Sequence, residues 1–374
     1  MKILFLIGTL GVGGAEKVLI DLVNNLDPQK YQITVQTLID IGEKRAALSP
    51  NIRYRSIVRF KSGFLRDIAT KILLKILPAR FIYRAFVKDG YDCEIAFLEG
   101  FPTKILAYSD DPKGKTYAWV HTDLNAFPDS YRAYGSEEKE GRAYRKFDRI
   151  FCVSEGVKTA IQKKYALDDA TLDVVYNIMD DKAVYDGIKE TSDFLPAIRP
   201  YFISVGRLIE KKGYERLLRV HRRLIGEGLF HTLAIIGDGP LKETLVDYIE
   251  KNSLSETAVL LGYQSNPHKY VKDADLFVCS SLAEGYSTAV GEAVLSGTPV
   301  LSTDVAGARE PFRSPRCSIV IDNDEEALYD ALRALLQNPK ELVALRSGLE
   351  ARQEGLRKDF LLAEFEKKVL MTVN

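Results

Sequence analysis

Two glutamates, Glu284 and Glu292, stand eight residues apart where the sequence predicts that a strand gives way to a helix. The apolar run before them predicts the strand, and Ser287 is of the residue type that begins helices. The first turn of a helix leaves its amides without partners, and such amides bind phosphate. Carboxylates on either side would then accept hydrogen bonds from the hydroxyl pairs of two flanking sugars. The amides expected to meet the phosphate are those of Ser287, Thr288 and Ala289.

Two cations earlier in the chain have a spacing suited to a diphosphate. Arg207 and Lys212 follow a predicted strand at 201–205, so both would stand at the carboxyl end of a buried strand. A fixed guanidinium and a mobile ammonium together neutralise the charge of a departing diphosphate. Cations near the start of a helix are mildly unfavourable, which indicates an anionic ligand rather than solvated surface charge.

Three other patterns match binding motifs only in part. Asp273-Ala-Asp275 and Asp322-Asn-Asp324 have the form of an Asp-x-Asp metal site, but the first lies before a strand rather than at its carboxyl end. We therefore predict no metal. The triplet at 114–116 resembles the end of a phosphate loop, yet Ser109 stands where the first glycine belongs and a strand, not a helix, follows.

Cysteine and histidine spacing gives no metal site and no disulfide framework. No two cysteines lie within the short spacing of zinc ligands, and the histidines are equally scattered. Isolated small thiols in a reducing compartment explain the cysteines. The residues are Cys93, Cys152, Cys279 and Cys317, and His121, His221, His231 and His268.

Strand and helix patterns alternate in two successive series along the chain, separated by a polar linker at 180–200. Each series predicts a doubly wound α/β domain, one at 1–180 and one at 181–356, followed by a C-terminal helix at about 357–374. Ligands of such sheets bind at the carboxyl ends of the strands, so we expect the two domains to face a cleft. The predicted strands are 2–8, 31–38, 93–98, 116–120, 149–153, 172–175, 201–205, 232–236, 258–261, 276–279, 300–302 and 318–321.

The composition fits two packed domains without a membrane span. The chain has 374 residues, of which 46% are hydrophobic and 28% charged, and its formal net charge is zero. A neutral chain has no overall field that would attract nucleic acid. No apolar stretch approaches the ~18–20 residues of a membrane span. The apolar start at 3–10 runs into a glycine-rich loop without a cleavage site, so we expect a buried strand in a cytoplasmic protein.

Residues 53–88 form a basic segment with interleaved apolar residues. The segment holds ten lysines or arginines and one acid, Asp67. Pro78 divides it into two predicted helices, and apolar side chains recur between the charges. Such a pattern predicts contact with an anionic membrane surface, while a solvated helical face packed on its own domain is the alternative. Nucleic acid is not expected, because no aromatic platform accompanies the charges. The cations are Arg53, Arg55, Arg59, Lys61, Arg66, Lys71, Lys75, Arg80, Arg84 and Lys88, the last three spaced as one stripe.

These motifs, in their order along the chain, resemble those of the family-four glycosyltransferases of the GT-B fold, which are retaining nucleotide-sugar transferases. The resemblance covers almost the whole chain. The motifs that carry it are Gly-Gly-Ala-Glu at 13–16, Tyr-Asn-Ile-Met-Asp at 176–180, Gly-Arg-Leu-x-x-x-Lys-Gly at 206–213, Gly-Asp-Gly-Pro at 237–240, Ala-Asp-Leu-Phe-Val at 274–278, and the Glu-x7-Glu at 284–292 with its Gly-Thr-Pro-Val exit at 297–300.

The resemblance implies a role for each matching residue of the second domain. Arg207 and Lys212 would bind the donor diphosphate. Glu292 would bind the ribose hydroxyls, and Glu284 the transferred sugar. The remaining donor-binding positions implied are Gly206, Tyr286, Ser287, Thr288 and Ala289.

In the first domain, the resemblance implies that Gly13 and Gly14 let the backbone approach the ligands. His121, at the carboxyl end of the strand 116–120, matches the family's active-site histidine near the donor sugar. With Arg207, Lys212 and Glu284, it completes the implied catalytic set.

The implied activity is transfer of a sugar, with retention of configuration, from a nucleotide-sugar donor of the UDP type. The implied acceptor is a glycan or a polyprenyl-diphosphate-linked glycan of bacterial cell-surface polysaccharide synthesis. No metal and no further cofactor are required by this scheme. With the basic segment, it predicts a protein held peripherally on the inner face of the cytoplasmic membrane.

Two alternatives remain at this point. A non-catalytic nucleotide-sugar binder would share the same motifs, although all four charged donor-site residues are intact. A nicotinamide-dependent dehydrogenase would use the glycines at 11–14 with Asp40 on a ribose. The chain also departs from the family pattern at two places. Ser287 and Thr288 replace the frequent Gly-Leu, which leaves the choice of donor open, and Tyr176 and Ile178 replace Pro and Gly, which leaves the role of Asn177 open.

Overall fold

The computed structural model describes residues 1–11, 13–60, 63–112, 114–126, 128–311, 318–349 and 355–373. They divide into two compact units. The first comprises Met1–Ile178 with Leu361–Asn374, and the second comprises Met179–Phe360.

The first unit is built on a seven-stranded sheet in which all adjacent strands run parallel, in the order β3-β2-β1-β4-β5-β6-β7. Its inner strands are almost fully buried, as expected of a parallel sheet covered on both faces. The strands are β1 (Lys2–Ile7), β2 (Gln32–Ile39), β3 (Arg53–Val58), β4 (Cys93–Ala96), β5 (Lys115–Val120), β6 (Arg149–Cys152) and β7 (Leu172–Val174).

The second unit repeats the plan with a six-stranded parallel sheet in the order β10-β9-β8-β11-β12-β13. The order reverses direction at β8 and β11, which places the switch point of the sheet between those two strands. The strands are β8 (Tyr201–Val205), β9 (Thr232–Ile236), β10 (Ala258–Gly262), β11 (Leu276–Cys279), β12 (Val300–Thr303) and β13 (Ser318–Ile321).

Helices connect the strands in both units. They are α1 (Gly14–Asn25), α2 (Gly63–Lys71), α3 (Ala79–Ile82), α4 (Phe101–Leu106), α5 (Glu137–Tyr144), α6 (Glu155–Tyr165), α7 (Asp181–Gly187), α8 (Tyr214–Gly226), α9 (Lys242–Lys251), α10 (His268–Val271), α11 (Thr288–Leu295), α12 (Glu325–Gln337), α13 (Pro339–Ser347) and α14 (Lys358–Phe365). Short π-helical turns extend three of them, at Ile72–Ile76, Tyr83–Val87 and Glu366–Leu370.

The two parallel sheets confirm the predicted fold class, and the predicted strands are found within one or two residues of their ends. One strand was not predicted. Residues 53–58 were assigned to the basic helical segment, but they form the edge strand β3. The side chains of Arg53 and Arg55 on this strand both form ion pairs with Asp89.

The segment 180–200, predicted to be a linker, begins with a helix. The Asp180 side chain accepts a hydrogen bond from the Ala183 amide at 3.3 Å and so caps α7. Val184 is buried, which anchors this helix in the second unit. The helix was not predicted because its sequence is mostly polar. Only one side of the helix packs against the rest of the unit, so few of its residues need to be apolar.

Residues 361–373 belong to the first unit. The Phe365 ring stacks on Trp119 with centroids 5.6 Å apart, and the Tyr117 hydroxyl lies 3.1 Å from that of Thr372. Lys368 adds an ion pair with Asp173. The chain therefore returns to β5 of the first sheet at its end.

Candidate functional site

The loop after β8 is held against the loop after β9. The Gly206 amide donates to the Ile236 carbonyl and the Leu208 amide to that of Asp238, each at 2.9 Å. Gly237 has a φ of +151°, and a Cβ there would lie 1.9 Å from the Gly206 carbonyl oxygen. Only glycine fits this position, so the Gly-Asp-Gly-Pro motif fixes the backbone that carries Arg207.

Lys212 ends a 3₁₀ turn at Glu210–Lys212, and Gly213 follows at a φ of +67°. A Cβ on Gly213 would lie 2.0 Å from the Ser280 carbonyl oxygen. The Leu282 amide donates to the Lys211 carbonyl at 2.7 Å. The Lys212 loop is thereby joined to the loop that follows β11.

These two loops bring Lys212 and Glu284 together. The Lys212 ammonium lies 2.5 Å from the Glu284 Oε1, and the Ser281 hydroxyl donates to the same oxygen at 2.7 Å. Burial raises the pKa of Glu284, but Lys212 and Ser281 outweigh it and the net pKa is lowered. Burial lowers the pKa of Lys212, whereas Glu284 raises it above its usual value. Both groups are therefore charged near neutral pH.

A buried arginine binds the loop that leads from β11 to Glu284. Arg216 on α8 is 6% exposed, and its guanidinium donates to the carbonyls of Ser280 and Ser281 and to the Asn323 side chain at 2.7–2.9 Å. Burial lowers the pKa of Arg216. Sequence reasoning did not single out this residue, because a cation on an amphipathic helix is usually solvated.

Helix α11 begins at Thr288, with Ser287 in the N-cap position as predicted. The Ser287 side chain makes no capping hydrogen bond, so the helix end is not closed by its own cap. Among the residues that the structure describes, none accepts a hydrogen bond from the amides of Ser287, Thr288 or Ala289. These amides remain available to a ligand.

Two glycines allow close packing around this helix. Gly307 has a φ of +74°, and a Cβ there would lie 2.3 Å from the Gly285 carbonyl oxygen. Gly291, which lies within α11, faces the Met179 side chain, whose sulfur would be 2.5 Å from an added Cβ. Glycine costs about 1 kcal/mol in a helix, and here it provides the space for Met179.

The predicted residues are placed as follows. Lys212 and Ser287 line one small cavity of about 10 Å³, which has room for a single water. Glu292 is half-buried one turn inside α11. Arg207 is exposed and forms no ion pair with any residue in the described part of the chain. Tyr286 is buried beside the helix start.

In the first unit, His121 follows β5 and lies opposite Glu99, which follows β4. The Glu99 Oε1 accepts hydrogen bonds from the amides of His121 at 2.5 Å and Thr122 at 2.7 Å. The His121 ring packs against Phe97 and Trp119. Its Nε2 is buried and has no hydrogen-bond partner in the described part of the chain. Glu99 was not predicted to be a site residue, although a carboxylate just after a parallel strand is placed where such sheets bind ligands.

Burial shifts both ionisable groups of this pair. The pKa of His121 falls to about 3, so its ring is neutral. Burial raises the pKa of Glu99 to about 7, against the lowering effect of the amides that it accepts. The structure therefore places a neutral imidazole and a carboxyl group that titrates near neutral pH at the carboxyl edge of the first sheet.

Gly13 and Gly14 stand at the start of α1. The space beside Gly13 is filled by the Glu16 carboxylate, 1.9 Å from where a Cβ would lie, whereas nothing lies within 4 Å of Gly14. The Lys44 ammonium donates to the Gly13 carbonyl at 2.9 Å. In this structure Gly13 is therefore contacted from within its own unit, whereas the space beside Gly14 is open.

The residues of the competing motifs have structural partners. Asp40 accepts a hydrogen bond from the Tyr54 hydroxyl at 2.7 Å and pairs with Arg45. Asp275 accepts from Arg199 at 2.8 Å and from the Tyr201 amide at 2.7 Å. Across the described residues, no group of three His, Cys, Asp or Glu side chains is arranged to hold a metal ion.

Two family models match the chain, one on each half. The model described as "Glycosyltransferase Family 4" matches residues 12–183, and the model described as "Glycosyl transferases group 1" matches residues 190–351. A relative from Campylobacter jejuni is 26% identical over 96% of both chains; it is named N-acetylgalactosamine-N,N'-diacetylbacillosaminyl-diphospho-undecaprenol 4-alpha-N-acetylgalactosaminyltransferase.

Solved structures share the fold at low identity. Anabaena Alr3699/HepE in complex with UDP-glucose superposes with a TM-score of 0.76 at 17% identity, covering 99% of this chain and 100% of that one. A point mutant of Staphylococcus aureus TarM, in complex with fondaparinux, alpha-GlcNAc-glycerol and UDP, superposes with a TM-score of 0.73 at 14% identity. The match covers 100% of this chain and 99% of that one.

The two parallel α/β units have the GT-B fold, which these solved structures share. With both halves matched by family models, the chain belongs to the family-four glycosyltransferases and is an enzyme of sugar transfer. The family resemblance stated from the sequence is confirmed, and the dehydrogenase alternative is wrong.

Proposed function

We propose that the second unit binds a nucleotide-sugar donor, of the UDP type, at the Lys212–Glu284 pair and the start of α11. The observation that carries this proposal is the meeting of three features. They are a half-buried cation at the switch point of the sheet, a carboxylate in contact with it, and a helix start whose amides have no acceptor among the described residues. UDP or UDP-glucose in the neighbouring structures supports the choice of nucleotide.

In this proposal each residue has a separate task. Arg207 and Lys212 bind the diphosphate, and the amides of α11 add hydrogen bonds to it. Glu292 binds the ribose hydroxyls, and Glu284 turns its second oxygen to the transferred sugar. Gly206 and Tyr286 shape the adjoining walls.

The reaction is transfer with retention, as in the family. An acceptor hydroxyl attacks the anomeric carbon while the bond from that carbon to the diphosphate breaks. The proton of the hydroxyl passes to the departing diphosphate. The cations and the helix amides stabilise the negative charge that develops on the leaving group, which is the largest electrostatic demand of the step. No metal is needed in this scheme.

In this proposal the first unit receives the acceptor, and His121, Gly13 and Gly14 are its candidate site residues. The acceptor class we propose is a glycan, free or linked to a polyprenyl diphosphate, in cell-surface polysaccharide synthesis. The Campylobacter jejuni relative, named for a diphospho-undecaprenol acceptor, supports this class.

We propose that the first unit also has a membrane-facing surface, which would suit a lipid-linked acceptor. In the described parts of the chain, no helix is long and apolar enough to cross a bilayer. The helices at 63–76 and 79–87 nevertheless leave several large apolar side chains exposed while burying others, such as Leu73, Ile82 and Tyr83, in their own unit. The exposed ones are Phe64, Leu65, Ile68, Ile72, Ile76, Phe81 and Phe86.

The charge pattern of this surface differs from the one predicted. Arg84 and Lys88 are not free, because both pair with Asp110. Lys61 lies outside the described residues. Lys71, Lys75 and Arg80 are exposed and form no ion pair with described residues. Cations beside exposed apolar side chains fit the headgroup region of an anionic bilayer, at the inner face of the cytoplasmic membrane.

The donor proposal is tested by a thermal-shift panel of nucleotides, because a ligand that binds only the native state raises the melting temperature. UDP and a UDP-sugar are expected to raise it, and NAD and ATP are not. Release of UDP in the presence of an acceptor then separates an enzyme from a mere binder. A panel in which no nucleotide diphosphate stabilises the protein would reject the site.

The membrane proposal is tested by flotation with vesicles of phosphatidylglycerol and phosphatidylcholine at low salt. Wild-type protein is expected to float with the anionic vesicles, and the variant Ile72→Ser/Ile76→Ser is expected to float less. The matched control is Val343→Ser/Met371→Ser, which removes two exposed apolar side chains elsewhere. Protein that ignores anionic vesicles would contradict this part of the account.

A further inference from the structure

A depression on the surface of the first unit lies between α4 and α5 and has a volume of about 340 Å³. Its charged lining is entirely cationic. Two tyrosines and two alanines complete the lining, and none of the described residues that form it carries a carboxylate. The cations and tyrosines are Lys104, Lys139, Arg142, Lys146, Tyr108 and Tyr134.

Several other cations of this unit have acidic partners. Lys115 pairs with Asp148, Lys158 with Asp169, and Lys164 with Glu137. Within the described part of the chain, the three lysines of the depression form no ion pair. Arg142 has only an exposed contact to Glu138, at 3.6 Å with both side chains mostly in solvent. A chain with zero net charge thus concentrates unpaired positive charge at one concave surface.

The surroundings of Lys104 show that this concentration of positive charge is unfavourable. Its ammonium donates to the Ala133 carbonyl at 2.7 Å and is half-buried. Burial and the nearby Lys139 both lower the pKa of Lys104, and no anion acts against them. Like charges held together without a counter-ion are unfavourable, and an anionic ligand removes that penalty.

One acidic residue near the depression is already paired with other cations. Asp110, two residues beyond Tyr108, is paired with Arg84 and Lys88. The Lys146 ammonium lies 4.3 Å from the Tyr108 ring centroid, which holds this lysine at the rim. The Ser109 hydroxyl donates to that of Tyr83, so the residue after Tyr108 contacts the helix 79–87 of the proposed membrane-facing surface.

We propose that the depression between α4 and α5 binds a phosphate-bearing anionic group, of the size of a phosphate or diphosphate, through Lys104, Lys139, Arg142 and Lys146. Ammonium and guanidinium groups are the donors that proteins use for phosphate, and 340 Å³ leaves room for the group to keep part of its hydration. The same chemistry is found in a lipid diphosphate, a phospholipid headgroup and a soluble phosphate. The inference does not rest on the donor site of the second unit.

The test is isothermal titration of the full chain with inorganic pyrophosphate at low salt. Four proteins are compared: wild type, Arg207→Ala, which removes pyrophosphate binding at the donor site, and two variants made in the Arg207→Ala background. These two are Lys139→Glu/Lys146→Glu in the depression and, as a control with the same change of net charge on exposed lysines of the second unit, Lys242→Glu/Lys251→Glu. Thermal unfolding checks that each variant is folded.

We expect pyrophosphate binding to weaken at least tenfold in the depression variant and to survive in the control and in Arg207→Ala. Equal binding in the depression variant and the control would overturn the inference, as would binding abolished by Arg207→Ala alone. Flotation then identifies the source. If the depression variant no longer floats with vesicles carrying farnesyl diphosphate, the ligand is a lipid diphosphate. If it no longer floats with vesicles carrying phosphatidylglycerol, the ligand is a phospholipid headgroup. If it floats with both, the ligand is a soluble phosphate.

Discussion

The Lys212 ammonium and the Glu284 carboxylate, 72 positions apart in the sequence, lie 2.5 Å from each other in the second unit. Each group is the counter-ion of the other, and Glu284 is only 9% exposed. Without a ligand, the pair is electrically neutral. A donor diphosphate would therefore share Lys212 with Glu284, while the exposed Arg207 supplies a cation that is not already engaged.

The first prediction concerns the strength of this pair. Lys212→Met leaves Glu284 as a buried charge without a partner, and Glu284→Gln does the converse. We expect each to lower the free energy of unfolding by about 3 kcal/mol. The double variant should lose clearly less than the sum, because it leaves no unpaired charge.

Urea denaturation measures these three variants against the exposed pair Arg219–Glu325, whose side chains are 49% and 40% exposed. Exposed pairs couple by less than about 1 kcal/mol. A coupling energy between Lys212 and Glu284 that does not exceed that of the control pair would show that the buried contact is not formed.

The second prediction separates backbone strain from steric exclusion at two glycines. Gly213 and Gly297 have similar φ values, +67° and +77°, but an added Cβ meets the Ser280 carbonyl only at Gly213. Gly297→Ala should cost about 1–2 kcal/mol for the left-handed conformation alone. Gly213→Ala should cost more and should also lower donor affinity, because the Lys212 loop must shift. Equal effects of the two variants on stability and on UDP binding would contradict this account.

The third prediction assigns a positioning role to Arg216. Replacing it by Met keeps most of the side-chain volume but leaves the carbonyls of Ser280 and Ser281 without their charged donor. We expect KM for the donor to rise at least tenfold, with a stability loss of about 2–4 kcal/mol. Arg219→Met, on the exposed side of the same helix, is the control. An Arg216→Met enzyme that is destabilised but keeps the wild-type KM would reduce Arg216 to a purely structural residue.

The fourth prediction is a pH dependence from Glu99. Its pKa is about 7 in the native state and 4.5 is its ordinary value, so between these values the native state binds more protons than the unfolded state. Stability due to this group therefore falls as pH rises from about 4.5 through 7. Glu99→Gln removes this loss while keeping an oxygen that accepts the two amides. Nearby ionisable groups, including Glu140 and His121, remain in both proteins.

Chemical denaturation of wild type and Glu99→Gln at pH 5 and pH 8 tests the sign. From pH 5 to pH 8, the free energy of unfolding of the variant relative to that of wild type should rise by roughly 2–3 kcal/mol. Glu155→Gln, a change of the same charge on helix α6, is the control. A difference between Glu99→Gln and wild type that does not vary with pH would show that Glu99 has an ordinary pKa.

The strands of the second unit were predicted almost to the residue, because buried parallel strands are continuous apolar runs. Those at 201–205, 232–236, 276–279 and 318–321 coincide with the structure. The edge strand at 53–58 was missed for the opposite reason. Its charged residues alternate with others along the strand and are satisfied by Asp89, which lies 31 residues beyond its end.

The candidate site was predicted by residue type but not by pairing. The start of α11 and the positions of Lys212 and Glu284 follow from local patterns, whereas their ion pair depends on how two loops are brought together by the sheet. Arg216 could not be predicted, since its partners are two backbone carbonyls and the distant Asn323 side chain, which no sequence pattern marks. Glu99 was also missed, because its importance lies in facing His121 from the neighbouring strand.

The measurement that tests the central claim most directly is isothermal titration with UDP of wild type, Arg207→Ala, Glu292→Ala and Arg222→Ala. Arg222 is the control, because it is an exposed arginine of the same unit outside the site. We predict that Arg207→Ala and Glu292→Ala each weaken UDP binding at least tenfold, about 1.4 kcal/mol, and that Arg222→Ala leaves it unchanged. UDP binding of equal strength in all four proteins would contradict a donor site at these residues.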